Sequence, residues 1–243
     1  MAIKRRGSGK RKRRGGLVRW LFRVIALLVL IAIGYAAWFW WDMRSWRPSD
    51  IDYPEQGAVI PSKAEEVNFT TLKAVGAQFV YLELQPAQRE LDDAFAARFL
   101  AAREAGLKIG VILPFDPCIP ADPQSARFTR MVPRAETLMP PAIGVTHIAE
   151  DCAEPVSSAA VESELLTLAN QVELHSAKPV ILRVGEAFEA KYKIAGTMDR
   201  DLWLMRDRAR PDYAPRPWLL WSANSQMESE ASEAPLEWVV VQR

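Results

Sequence analysis

Glu150 and Asp151 stand side by side just after His147 and just before Cys152, and Asp116 stands two residues before Cys118. A carboxyl group whose environment keeps it protonated can donate a proton to a leaving group, while a second, ionised one steadies the positive charge that develops. Glu150 or Asp151, with Glu83, Asp116 or Glu237 near it, is therefore a candidate acid and partner. His147 could act beside them as a ligand or base. Each of these residues also has a plainer reading, as a solvated loop charge, a helix-capping acid or a hydrogen-bonded structural histidine. Trp203, Trp218, Trp221 and Trp238 carry ring faces of the kind that stack on sugars, Trp221 foremost because it ends a strand, and packing competes with that use. His175, at a helix end, reads as a partner of the helix dipole. No Ser, His and Asp order, phosphate-cradling glycine loop or Cys-x-x-Cys pattern occurs, so neither a metal nor a nucleotide cofactor is expected.

The elements that must position these groups alternate. Ala77 to Leu84, Lys108 to Leu113, Ala142 to Val145 and Pro179 to Val184 are short runs rich in strand formers, and Leu202 to Met205, Trp218 to Trp221 and Trp238 to Val241 follow. Between the earlier runs lie helical patterns. One is capped by Asp92 or Asp93, buries Phe95, Phe99 and Ala102 and closes at Gly106. A second covers Pro123 to Met131. A third, capped by Ser157 or Ser158, buries Val161, Leu165, Leu168 and Val172. Strand, helix, strand at this spacing predicts parallel strands with helical crossovers, and the last strands lack helices between them. The expected fold class is α/β, an irregular TIM-like β/α barrel of about eight strands with fewer helices. In such barrels the chemistry sits at the C-terminal ends of the strands, where Asp116, Cys118, His147, Glu150, Asp151 and Cys152 fall.

The whole chain has 243 residues, 49% apolar and 25% charged, which excludes a mainly disordered, collagen-like or disulfide-dense protein and supports one globular domain with an appendage. Its net charge of +1 hides an asymmetry: 10 of the 31 basic residues lie in the first 23 positions, with no acid among them. Residues 24–243 carry 21 basic and 30 acidic groups, so a nucleic-acid surface on the globular part is not expected. Val24 to Trp41 is an uncharged, mostly apolar run of 18 residues, about 27 Å as a helix. It is predicted to be a transmembrane helix. The cations before it and the acids from Asp42 onward orient it with residues 1–23 as a cytoplasmic basic tail and the rest outside. The run ends in bulky Trp rather than small residues, which argues against cleavage as a signal peptide. Residues 42–56 read as a polar tether and 57–243 as the barrel domain. Outside the cytoplasm, Cys118 and Cys152 would by default form a disulfide, two separate buried thiols being the alternative.

At these residues the chain resembles glycoside hydrolase family 25, the lysozyme-like muramidases that cleave peptidoglycan with a β/α barrel. The likeness runs from about Gln56 to Arg243: a Gly-led first strand at Gly57, Leu72 to Val80, the helix from Phe95 to Gly106 and Leu107 to Gly110. Pro114-Phe-Asp-Pro-Cys118 with Gln124, Ala126 and Phe128 follows, then Pro140-Pro141, Cys152, Lys178 to Ile181, Leu202 to Leu204 and Trp218 to Trp221. The resemblance implies that Cys118 pairs with Cys152 and that catalysis should involve acids at the barrel mouth. There the sequence departs from the pattern. The first-strand Asp position falls on Val59. The central Asp-x-Glu falls on Gly144 and Thr146 or, aligned from Cys152, on Val145 and His147. A Tyr-His pair is replaced by Ile112-Leu113, and a further acid by Pro86. Only the last position keeps a carboxylate, as Glu237. The expected function is a lysozyme-like domain in a bacterial inner membrane, anchored by residues 24–41, facing peptidoglycan from the extracytoplasmic side with weak or lost hydrolysis. The alternatives are an active muramidase using displaced carboxylates, namely Glu237 with Glu150 or Asp151, or a domain that binds other envelope proteins. Trp221, Trp203, Asp116 and His147 are the expected glycan contacts.

Overall fold

The computed structural model describes residues 14–64, 66–85 and 93–242. The basic positions before residue 14, together with Pro86 and Asp92, lie outside them. The chain divides into two units, Met1–Met43 and Arg44–Arg243.

Helix α1 spans Arg14–Ser45. From Arg19 to Asp42 its mean hydropathy is 2.2, and none of its most apolar window is buried. With no Pro to interrupt it and no polar stripe along it, this stretch has the length and composition to cross a membrane.

The second unit is a closed eight-stranded barrel in sequential order. Its strands are β1 Gln56–Ile60, β2 Phe79–Glu83, β3 Lys108–Pro114, β4 Ala142–Val145, β5 Ile181–Val184, β6 Asp201–Met205, β7 Leu220–Ser229 and β8 Ser232–Val241. Neighbours from β1 to β7 are parallel, and β8 closes the ring antiparallel to both β7 and β1. The helices are α2 Phe69–Ala74, α3 Asp93–Glu104, α4 Ala121–Met131, α5 Ser158–Ser176, α6 Glu186–Tyr192 and α7 Ile194–Thr197. The expected barrel and its three longer crossover helices are present. Short α2, α6 and α7 escape the sequence reading because so few turns show no period. The last two strands extend well beyond the expected Trp218–Trp221 and Trp238–Val241 to form a bulged hairpin, in which Met227 pairs with Leu236 and Ser229 with Ser232. Its partly exposed polar residues disguise the strand pattern.

Alternation divides each strand. Val59, Phe79, Tyr81, Ile112, Ala142, Ile181, Trp203, Leu220 and Val239 fill the barrel interior. Two glycines make room for the largest rings. A Cβ on Gly57 would lie 2.5 Å from the Phe79 ring, and one on Gly110 would lie 2.3 Å from that of Tyr81. The opposite faces join the helices in an outer core that includes Phe95, Phe128, Leu165 and Phe188. Ser157 caps α5 by accepting the Ala160 N–H at 3.2 Å.

Among the described residues no crossover helix covers β7 and β8, and residues 46–55 lie over them instead. Asn224 Nδ2 donates to the Trp46 carbonyl at 2.7 Å, and Trp238 Nε1 donates to Gln56 Oε1 at 2.5 Å. Gln56 Nε2 in turn donates to the carbonyls of Pro48 and Tyr53 at 3.1 and 2.8 Å and to Asp50 at 2.9 Å. The Trp46 and Tyr53 rings pack on Trp221 with centroids 6.5 and 5.7 Å away.

Candidate functional site at the barrel mouth

Five strands send polar or aromatic side chains to the C-terminal end of the barrel. The inward parity of β2 carries Phe79 and Tyr81 and then Glu83 as its last residue; that of β5 carries Ile181 and then Arg183. Because β8 runs antiparallel, its residue opposite Val59 at this end is Glu237. Ser222 of β7 stands opposite Met205, and Trp203 of β6 opposite Arg183.

These groups form a connected network. Arg183 grips Glu237 with Nη2 at 2.5 Å from Oε2 and Nε at 3.3 Å from Oε1, and both side chains are mostly buried. Ser222 donates its hydroxyl to the same Oε1. Trp203 Nε1 donates to the Ser222 oxygen at 2.7 Å, and the Arg183 guanidinium carbon lies 5.5 Å from the Trp203 ring centre. Two guanidinium donors and a hydroxyl fix this carboxylate in place. Burial pushes the Glu83 carboxyl above its usual range; Arg183 opposes this, Glu237 adds to it, and an N–H from Ser62 opposes it again. The mouth therefore holds a fixed carboxylate near a carboxyl whose pKa burial raises, with one cation acting on both. Beside Glu237 and Ser222 opens a cleft of about 170 Å³, also lined by Met205, Arg206, Asp207 and Ser225.

The positions where the family pattern expects acids are occupied otherwise. Val59 is interior packing. A Cβ on Gly144 would come within 3.9 Å of Arg183 Nη1, so the guanidinium reaches the space beside that backbone. Thr146 and His147 are exposed on the rim, the Thr146 hydroxyl lying 3.4 Å from His147 Nδ1.

Of the residues singled out from the sequence, Glu237 and Trp203 belong to the network and Glu83 lies within its electrostatic reach. Glu150 is on the rim, paired with Lys191 Nζ at 2.6 Å, and Asp151 beside it is exposed. Asp116 shapes a loop: its N–H donates to Gln124 Oε1 and its Oδ1 accepts the Cys118 N–H, both at 2.9 Å. Cys118 and Cys152 form a disulfide that joins this loop to the rim after β4. His175 Nε2 lies 2.9 Å from the Val132 carbonyl oxygen, at the end of α5.

Trp203, Trp221 and Trp238 lie deeper than a sugar platform would, while Trp218 is half-buried. Trp203 is fully enclosed and Trp221 is 3% exposed, its ring on the outer face among Trp46, Tyr53 and Trp218 and its Nε1 donating to the Arg206 carbonyl at 2.7 Å. Arg183 and Ser222 are site residues that the sequence reading missed; Arg183 carried a signal. Its signal is a single cation in an otherwise apolar strand, Ile181 to Val184, since a charge seldom sits in a barrel strand without a partner. Among the described residues, no group of three His, Cys, Asp or Glu is placed to hold a metal ion.

No protein-family model matches the sequence, and no curated protein matches it closely enough to count. Solved structures do match in fold. A family 25 glycosyl hydrolase from Bacillus anthracis superposes with a TM-score of 0.71 at 20% identity, over 80% of this chain and 91% of that one. A bacterial lysozyme from Streptomyces coelicolor gives 0.68 at 14% identity, over 78% and 92%. A family 25 lysozyme from Aspergillus fumigatus gives 0.65 at 16% identity, over 78% and 94%. The second unit thus has the fold of the family 25 lysozymes, as the sequence resemblance implied.

Proposed function

We propose that the chain is a membrane-tethered, lysozyme-like barrel that binds the glycan strands of peptidoglycan outside the inner membrane of a bacterium and has lost the standard muramidase reaction. The carrying observation is the Arg183–Glu237 pair. Glycosidic cleavage needs a proton donor and a group, on the enzyme or the substrate, that steadies the sugar cation. Here Glu237, the one acid position that the sequence resemblance keeps, is held by Arg183 and Ser222, and the space beside Gly144 holds a guanidinium where the resemblance would place a carboxylate. The mouth still offers hydroxyl, carboxylate and guanidinium groups suited to hydrogen-bonding a sugar, and His147 and Asp116 stand on its rim. The apolar helix α1 supports an anchor that keeps the barrel close to the wall.

Co-sedimentation of the detergent-solubilised full chain with insoluble sacculi tests this reading. Retention in the pellet, lowered by Glu237→Ala, is expected. A protein that stays in the supernatant would rule out glycan binding and leave a domain that recognises other envelope proteins.

One observation favours a second reading, an active muramidase with displaced carboxylates. Glu83 is a half-buried carboxyl whose pKa is raised by burial and by the nearby Glu237, and a pair of carboxyl groups in different surroundings can divide acid and stabilising roles. Glu150 and Asp151 on the rim are the other candidate donors. If this reading holds, the full chain digests sacculi and Glu83→Gln abolishes the digestion.

A further inference from the structure

The cleft beside Glu237 has a charge pattern that narrows what it can hold. Its lining includes two carboxylates, Asp207 and Glu237, and two hydroxyls, Ser222 and Ser225. Asp207 follows the end of β6 and is aimed by β7: Ser225 donates its N–H to Oδ1 at 2.7 Å and its hydroxyl to Oδ2 at 2.9 Å. Neutral donors of this kind orient a carboxylate and leave its charge in place.

The guanidinium groups at this end of the barrel hold other carboxylates. Arg183 grips Glu237. Arg206, the cation in the cleft lining, pairs with Asp212 at 2.5 Å and lies 3.6 Å from Glu186. Glu83 adds a carboxyl within electrostatic reach of Glu237, and the rim residue His147 is the smallest of the influences that offset it. Two guanidinium groups and one histidine thus face five carboxyl groups, Glu83, Glu186, Asp207, Asp212 and Glu237. A cleft with this excess repels an anionic ligand and favours a cationic one.

We propose that the cleft takes a primary ammonium group carried by peptidoglycan, with Asp207 as its main counter-ion and Glu237 on its other side. This rests on the reading of the mouth as a glycan-binding site and names the chemical class of strand it selects. The ammonium has two sources in the wall: a 2-amino sugar without its acetyl group, and the free amine of a stem peptide. A compact ammonium has three N–H donors and can serve both lining carboxylates, whereas an acetylated amine brings a neutral amide and leaves Asp207 to water. The barrel would then sort strands by their content of free amine.

The test is co-sedimentation of the detergent-solubilised full chain with sacculi in three forms. In the first, acetic anhydride has capped every amine; in the second, capping is followed by an enzyme that removes acetyl groups from the sugars alone; the third is untreated and keeps its peptide amines. Retention by the second or the third form should exceed that by the capped form about three- to five-fold, the size expected of an ion pair to an exposed carboxylate, and the form that does so identifies the source. Asp207→Asn should bring all three forms within two-fold of one another. Equal retention of the wild type by all three forms would overturn the ammonium site and leave glycan binding standing, and a preference that survives in Asp207→Asn would overturn its assignment to this cleft. Absence of the wild type from all three pellets would overturn glycan binding and the ammonium site with it.

Discussion

Arg183 and Glu237 lie 54 residues apart in sequence and meet across the barrel interior through two guanidinium donors, at 2.5 and 3.3 Å. Strand order brings them together. Because β8 runs antiparallel, a residue near the chain's end returns to the mouth where β5 delivers Arg183. The pair fixes Glu237 in the floor of the mouth, its charge offset by Arg183.

Breaking the pair from one side should cost more than replacing it. Arg183→Met leaves the Glu237 carboxylate buried without its cation and should lower stability by roughly 3 kcal/mol. The double variant Arg183→Met/Glu237→Met should recover most of that loss. Urea unfolding midpoints at unchanged slope measure both.

Glu83 should give the barrel a recognisable pH dependence. Its folded pKa lies above the ordinary 4.5, so the folded state holds this proton more tightly than the unfolded chain does. Stability from this group is highest below pH 4.5, falls as pH rises through the window between the ordinary and the raised value, and is flat above it. Glu83→Gln, which never ionises, should remove that fall and melt higher than wild type at neutral pH. Thermal unfolding across the acid range checks the sign; a wild type that gains stability through this window relative to Glu83→Gln would contradict it.

The segment over β7 and β8 should behave as part of the barrel. Gln56 is buried and accepts the Trp238 indole N–H at 2.5 Å while holding Pro48, Asp50 and Tyr53. Gln56→Ala orphans that buried donor and should cost roughly 2 kcal/mol. Hydrogen exchange over residues 46–54 should quicken in the same variant.

The disulfide closes a loop with a sequence separation of 34. Its removal by Cys118→Ser/Cys152→Ser should cost roughly 3–4 kcal/mol through the greater freedom of the unfolded chain. In protein extracted from membranes, both thiols should resist labelling until a reductant is added.

What was legible in the sequence is what local chemistry writes there. The alternation of strand runs and helical faces specifies a barrel, Ser157 marks the start of α5, and the Cys118 and Cys152 positions carry the pairing implied by the family likeness. Other features depend on register. The inward or outward direction of Trp221 follows from its pairing with Val240, which no local pattern reveals, and it places that ring under Trp46 and Tyr53 rather than in the mouth. Residues 46–55 have no period, because their order comes from Asn224 and Trp238, more than 170 positions away. Glu83 was named from the sequence as a possible partner carboxylate, and Arg183 was missed. Only the closed ring of strands makes them neighbours.

The most direct test of the central claim is the release of soluble muropeptides from purified sacculi incubated with the full-length chain. The account predicts protein bound to the sacculi and no release above that of a protein-free control. Sustained release that disappears in Glu83→Gln or Glu237→Gln would contradict it, because the mouth would then be moving protons rather than only holding glycan.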